Sequence, residues 1–139
     1  MSHWPLTEDE VRTQAGKLLG FEDVDRRSAR AGVGQITTLK SLGFTGEGIS
    51  LKPDGWYLPR DRSLVAIALE TKAQDTVPID SPKLKEQIEK YCDVIRTRYD
   101  SVIGIVYDGE RTRAYVNGEP LDVPDELQSR EYYVDRLLE

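Results

Sequence analysis

The sequence predicts an α/β domain in which a central sheet of about four strands is flanked by helices, and three observations predict it. Residues 64–72, Leu-Val-Ala-Ile-Ala-Leu-Glu-Thr-Lys, alternate with period two, as a strand does. After Ser81-Pro82, the apolar residues Leu84, Ile88, Tyr91 and Ile95 recur at helical spacing. Residues 101–107 form a nearly continuous apolar run, the pattern of a central strand buried on both faces.

Each element has its own local signal. Thr7, with Glu10 three residues on, makes a capping box at the start of a helix whose apolar stripe is Val11, Ala15, Leu18 and Leu19, and Gly20 ends it. Residues 22–32 are polar and basic and read as a loop. Val33, Ile36, Leu39 and Leu42 suggest a second helix stopped by Gly43. Residues 49–58 read as a strand that a turn at residues 59–62 folds back onto residues 64–72, giving an antiparallel hairpin. Pro53 demotes a central strand but suits a bend that re-aims the next side chain, Asp54. Ser81 as N-cap and Pro82 at the first helical position open the long helix, with Gln87 on the edge of its buried face. A strand over residues 101–107 turns at Asp108-Gly109, and residues 112–116 return as far as Asn117-Gly118. Residues 120–125 read as loop and residues 126–139 as a helix with Leu127, Val134, Leu137 and Leu138 apolar. The expected organisation is a single domain over 1–139, with N-terminal helices in 1–48, a core in 49–117 and a C-terminal helix in 118–139. A helix at the very end suits a domain excised from a longer chain.

The totals narrow the chemistry. The chain has 139 residues, 38% hydrophobic and 32% charged, with a net charge of −6. No run approaches the roughly 18 apolar residues of a membrane span, and the N-terminus lacks the pattern of a secretory signal; the cytoplasm is the expected compartment. One cysteine, Cys92, excludes an internal disulfide and a thiolate zinc cluster. The single histidine, His3, lies at a terminus expected to fray, which excludes Ser-His-Asp and Cys-His catalysis. Chemistry is left to carboxylates, lysine, tyrosine and bound metal. Arginines cluster at 26, 27 and 30, at 60 and 62, at 96 and 98, and at 111 and 113. Each cluster is a candidate phosphate grip, although solvated surface charge is the commoner meaning.

Residues 49–72 carry the sharpest signal. Val65, Ile67, Leu69 and Thr71 share one face of their strand and read as core; Leu64, Ala66, Ala68, Glu70 and Lys72 share the other. Glu70 and Lys72 lie about 7 Å apart along that second face, over two small alanines, which suggests a site more than a packing surface. The hairpin brings Asp54 close to Glu70. Two carboxylates beside an amine suggest a place for a divalent cation. The bland alternative is a surface ion pair, Glu70 with Lys72, and a turn aspartate.

Pro53-Asp54, then Glu70-Thr71-Lys72, then Gln87-Ile88-Glu89-Lys90-Tyr91 on the following helix resembles the PD-(D/E)XK nuclease superfamily. The Gln-x-x-x-Tyr element is similar to that of its RecB-like and type I restriction members. The later hairpin, with Asp108-Gly109 and Ala114-Tyr115, looks like that of the N-terminal nuclease domain of type I R subunits and related methylase-fused enzymes. The resemblance covers about residues 49–117, and Thr71 departs from the small residue common at its position. It implies a restriction-endonuclease-like mixed central sheet and a metal-dependent DNA endonuclease of a restriction-modification system. It also implies catalytic Asp54, Glu70, Lys72 and Gln87, and metal bound by Asp54, Glu70 and the Thr71 carbonyl, with Glu10 of the first helix a further candidate ligand. Mg²⁺ would be the cofactor, replaceable by Mn²⁺. DNA is the implied partner, together with methylase or helicase/translocase domains or subunits. In this frame Lys72 positions water or neutralises the phosphorane, Gln87 orients the water, the phosphate or Lys72, and Tyr91 packs. Two alternatives stay open: a nuclease-fold module that binds nucleic acid or protein without cutting, and a metal enzyme for another phosphate ester.

Overall fold

The computed structural model describes residues 5–74 and 76–138; His3 and the end of the predicted C-terminal helix at Glu139 lie outside them. The sheet has six strands rather than about four. They are β1 (Ala29–Val33), β2 (Gly55–Pro59), β3 (Ala66–Thr71), β4 (Val102–Tyr107), β5 (Thr112–Val116) and β6 (Glu119–Leu121), and they lie side by side in sequence order. All neighbours are antiparallel except β3 and β4, which run parallel with Ala66 opposite Val102 and Thr71 opposite Tyr107. A parallel pair needs a crossover, and α2 (Pro82–Ile95) supplies it. Two further helices, α1 (Glu8–Leu18) and α3 (Arg130–Leu138), complete the chain.

Two apolar layers sandwich the sheet. On one face Leu84, Ile88, Tyr91, Cys92 and Ile95 of α2 pack with Trp56, Ala66, Ala68 and Val106. On the other, Val11, Ala15, Leu19 and Tyr133 pack with Val65, Ile67, Leu69, Ile103 and Ile105. Both faces of β3 are therefore covered, and the alanine part of the face expected to be a site is a packing surface. Ala66 and Ala68 are fully buried among α2-facing residues. The small side chains let the helix approach, and Gly104, opposite Ala68, continues the stripe. A methyl group on Gly104 would lie 2.7 Å from Ile88 Cγ1 and 2.9 Å from Cys92 Sγ. Gly104→Ala is expected to cost about 1–3 kcal/mol through overpacking, read as a lower midpoint in chemical denaturation.

The capping box of α1 is present: Thr7 Oγ1 accepts from the Glu10 N–H at 3.2 Å, and Glu10 Oε1 accepts from the Thr7 N–H at 3.2 Å. The buried stripe, however, is Val11, Arg12, Ala15 and Gly16, with Leu19 just beyond; Leu18 is 46% exposed. The reason is spacing: positions 11, 15 and 19 fall on one line, and 12 and 16 fall beside it. A side chain on Gly16 would press on Val33, so the glycine sets how closely α1 meets β1.

The region 22–42 departs most from expectation. Residues expected as loop contain β1, and the helix expected from Val33 to Leu42 is a series of turns, with Ile36 83% exposed. Apolar residues three apart throughout drift round an α-helix, so Val33 and Leu42 would face opposite ways at 100° per residue. The turns instead hang on the segment after them, through Leu39 N–H to Leu51 C=O and Lys40 N–H to Ile49 C=O. The strand expected from residue 49 accordingly starts only at Gly55, after Pro53. At the other end, residues expected as loop contain β6. Asn117 and Gly118 both have positive φ, 52° and 80°, which is the two-residue hairpin turn that matches strand twist. Pro120 is tolerated because β6 is an outermost strand. The last helix starts at Arg130 rather than near residue 126. No helix among the described residues is long and apolar enough to cross a membrane.

Candidate active site

β2 begins immediately after Asp54, and β3 ends at Thr71, so the antiparallel register brings the two ends together. Gly55 pairs with Leu69, and the Asp54 N–H donates to the Leu69 carbonyl at 3.0 Å. One position further along, Asp54 faces Glu70. The Asp54 carboxylate is almost wholly buried and has two donors: the Thr71 N–H at 2.8 Å to Oδ2 and Arg12 Nε at 3.3 Å to Oδ1. Strand geometry turns the Thr71 carbonyl to the same side as its N–H, the side of Asp54. Thr71 Oγ1 is buried without a hydrogen-bond partner among the described residues.

Glu70 is on the α2 face and 5% exposed. Its Oε2 accepts from the Tyr91 hydroxyl at 3.2 Å. Burial, then the hydrogen bond and negative charge of neighbouring Asp54, push the Glu70 carboxyl up to about 9, against the opposing pull of Lys72 and Tyr91. With its carboxyl held at about 9, Glu70 keeps its proton at neutral pH. Lys72 is half-buried and forms no ion pair within contact distance among the described residues, although its charge acts on Glu70. A surface Glu70–Lys72 ion pair is therefore absent.

Gln87 reaches the site through Tyr91. Its Nε2 donates to the Tyr91 hydroxyl at 2.8 Å, and that hydroxyl also lies 3.2 Å from the Lys52 carbonyl. Tyr91, expected only to pack, is thus the link between Gln87 and Glu70; burial and the Glu70 charge hold its hydroxyl well above the usual range. Glu10 is not brought in. It is exposed and committed to the cap, where it also takes the Thr7 hydroxyl at 3.0 Å. The first helix contributes Arg12 instead, whose Nη1 also bonds Asp9 at 2.6 Å, while Gln35 Nε2 bonds the same Asp9 oxygen at 2.7 Å. Burial works against the Arg12 charge, but its bonds and charge pairing with Asp9 and Asp54 outweigh that and raise its pKa. Arg12 had a legible signal, because it falls beside Val11 and Ala15 on the helix face turned to the sheet.

Among the described residues no three His, Cys, Asp or Glu side chains group closely enough to hold a metal ion. The set gathered here is of another kind: two carboxylates and a main-chain carbonyl, with Lys72 alongside. It suits a hard divalent cation, which accepts few carboxylates and completes its shell with water and phosphate. A buried acidic pair that must hold a proton without a cation fits such an ion. No family model matches the chain, and neither a curated protein nor a solved structure matches it significantly.

Proposed function

We propose that this chain is a metal-dependent endodeoxyribonuclease domain of the PD-(D/E)XK type, the cleavage part of a restriction-modification system. The observation that carries the reading is the register that sets Asp54 against Glu70 while the charge of Lys72 acts on the same carboxyl. Asp54, Glu70 and the Thr71 carbonyl would hold Mg²⁺ or Mn²⁺. When bound, such an ion polarises the scissile phosphate and lowers the pKa of a bound water. Asp54 is oriented by the Thr71 N–H and Arg12. Tyr91 aims the Glu70 carboxylate, and Gln87 fixes Tyr91. Lys72, which forms no ion pair among the described residues, would neutralise charge building on the phosphate. DNA is the substrate of this reading, methylase or helicase/translocase domains or subunits its partners, and the cytoplasm its compartment.

Supercoiled plasmid incubated with the protein and Mn²⁺ or Mg²⁺ is expected to be nicked, and EDTA is expected to abolish nicking. No cleavage with either ion at micromolar protein would overturn the proposal.

One observation favours a second reading, a nuclease-fold module that binds without cutting: Arg12 already neutralises Asp54. Calorimetry with Mn²⁺ separates the two. A nuclease is expected to show one Mn²⁺ site that disappears in Asp54→Ala. A non-cutting module shows no such site, and Arg12 then serves as the permanent counter-ion.

A further inference from the structure

Four arginines converge at the end of the sheet opposite the acidic pair. The turn after β2 carries Arg60 and Arg62, the nearer of them about 20 Å along the strand from Asp54; Arg30 comes from β1 and Arg98 from the segment after α2. They line one cavity of about 430 Å³ together with Phe44 and Tyr99.

Three features distinguish this cavity from ordinary surface charge. First, no carboxylate lines it, and none of the four arginines forms an ion pair among the described residues. Arg12, Arg27, Arg96, Arg113 and Arg130 all do, in a chain with 25 acidic and 19 basic residues. Asp61, between Arg60 and Arg62, spends its carboxylate on the N–H and hydroxyl of Ser63. Second, the guanidiniums are held in place by groups that leave most of their N–H donors uncommitted. Arg62 lies over the Tyr99 ring at 5.6 Å and Arg98 over the Phe44 ring at 5.7 Å. Arg30 and Arg60 each give one bond to a carbonyl, those of Leu42 and Arg26. Third, the positive charges act on one point: burial raises the pKa of the Tyr99 hydroxyl, and Arg62, Arg30 and Arg98 each pull it down. Unneutralised like charges held together this way are stabilised by an anion that accepts from several sides, and forked guanidinium donors match phosphate oxygens.

We infer that this cavity is a binding site for a phosphate group, separate from the acidic pair. The phosphate is either that of a soluble phosphate ester or that of a nucleic-acid backbone. The inference does not depend on the nuclease reading.

Calorimetry of the full chain in low salt and EDTA tests it, with inorganic phosphate, a nucleoside monophosphate and a short single-stranded oligonucleotide as probes. At least one probe is expected to bind, and Arg62→Gln/Arg98→Gln is expected to weaken that probe at least tenfold. Arg30→Gln, which leaves both ring contacts in place, is expected to weaken it severalfold, so a misfolded double variant leaves the test intact. Arg27→Gln/Arg111→Gln, an equal loss of charge elsewhere, is expected to have little effect. Binding of phosphate or mononucleotide identifies a soluble ester; binding of the oligonucleotide alone identifies a backbone phosphodiester. Failure of all three probes to bind, unchanged binding in the cavity variants, or equal weakening by the control pair would overturn the inference. A protein that cuts no DNA but passes this test loses the nuclease reading and keeps the phosphate site.

Discussion

Lys72→Ala is expected to lower metal-dependent plasmid nicking by at least 10²–10³-fold, the order of loss seen when one preorganised charge-stabilising group is removed from a reacting centre. The fold should be indifferent. Lys72 is half-buried, follows the last residue of β3 and makes no ion pair at contact distance among the described residues, so its loss should move stability by no more than about 0.5 kcal/mol. Its backbone N–H, which bonds the Tyr107 carbonyl at 3.1 Å, survives the substitution. Nicking assays paired with thermal melts check both halves of the prediction. A variant that melts with the wild type and cuts at its rate would remove Lys72 from the chemistry and leave the nuclease proposal without its cation.

Without divalent metal, the protein is expected to lose stability as pH rises from about 5 to about 9. Burial first, and Asp54 second, raise the Glu70 carboxyl from its ordinary 4.5 to about 9. Between those values the folded chain keeps a proton that the unfolded chain has released, so each step up in pH favours unfolding. This contribution is fully present below about 4.5 and is lost as pH passes through about 9. Thermal melts in EDTA across this range should show the midpoint falling by several degrees, at roughly 4 °C for each kcal/mol. Glu70→Gln, which carries no titrating proton, should flatten the profile, and saturating Mg²⁺ should make it shallower in the wild type. A wild-type profile no steeper than that of Glu70→Gln would mean that the two carboxylates do not share a proton.

What the sequence disclosed follows from how local each signal is. Thr7 with Glu10, and Ser81 with Pro82, announce their helices because caps are short-range chemistry. The run 101–107 announces a doubly covered strand because it is short and rich in β-branched residues, bounded by a turn signal at Asp108-Gly109. The meeting of Asp54 with Glu70 was legible because a short connection joins two consecutive strands, which then pair antiparallel. β1 was hidden, since Ala-Arg-Ala-Gly-Val has little strand preference and is a strand because β2 offers it partners. β6 was masked by Pro120, although Asn117-Gly118 was the available hint. At the site, Tyr91 was assigned to packing because helical spacing reports which face is covered, not where a hydroxyl ends. Ala66 and Ala68 looked like open floor because a small side chain signals either a vacancy or a close neighbour, and here α2 is the neighbour.

The parallel pairing of β3 with β4 bears on how the chain assembles. The hairpin carrying Asp54 and Glu70 closes over a short turn, whereas Ala66 meets Val102 only after the whole intervening segment has looped back. Loop entropy must be spent before that contact gives anything in return, so the crossover is expected to form late and the hairpin early. In refolding, the acidic pair is then expected to meet first in water and to be sequestered only when α2 settles on the sheet.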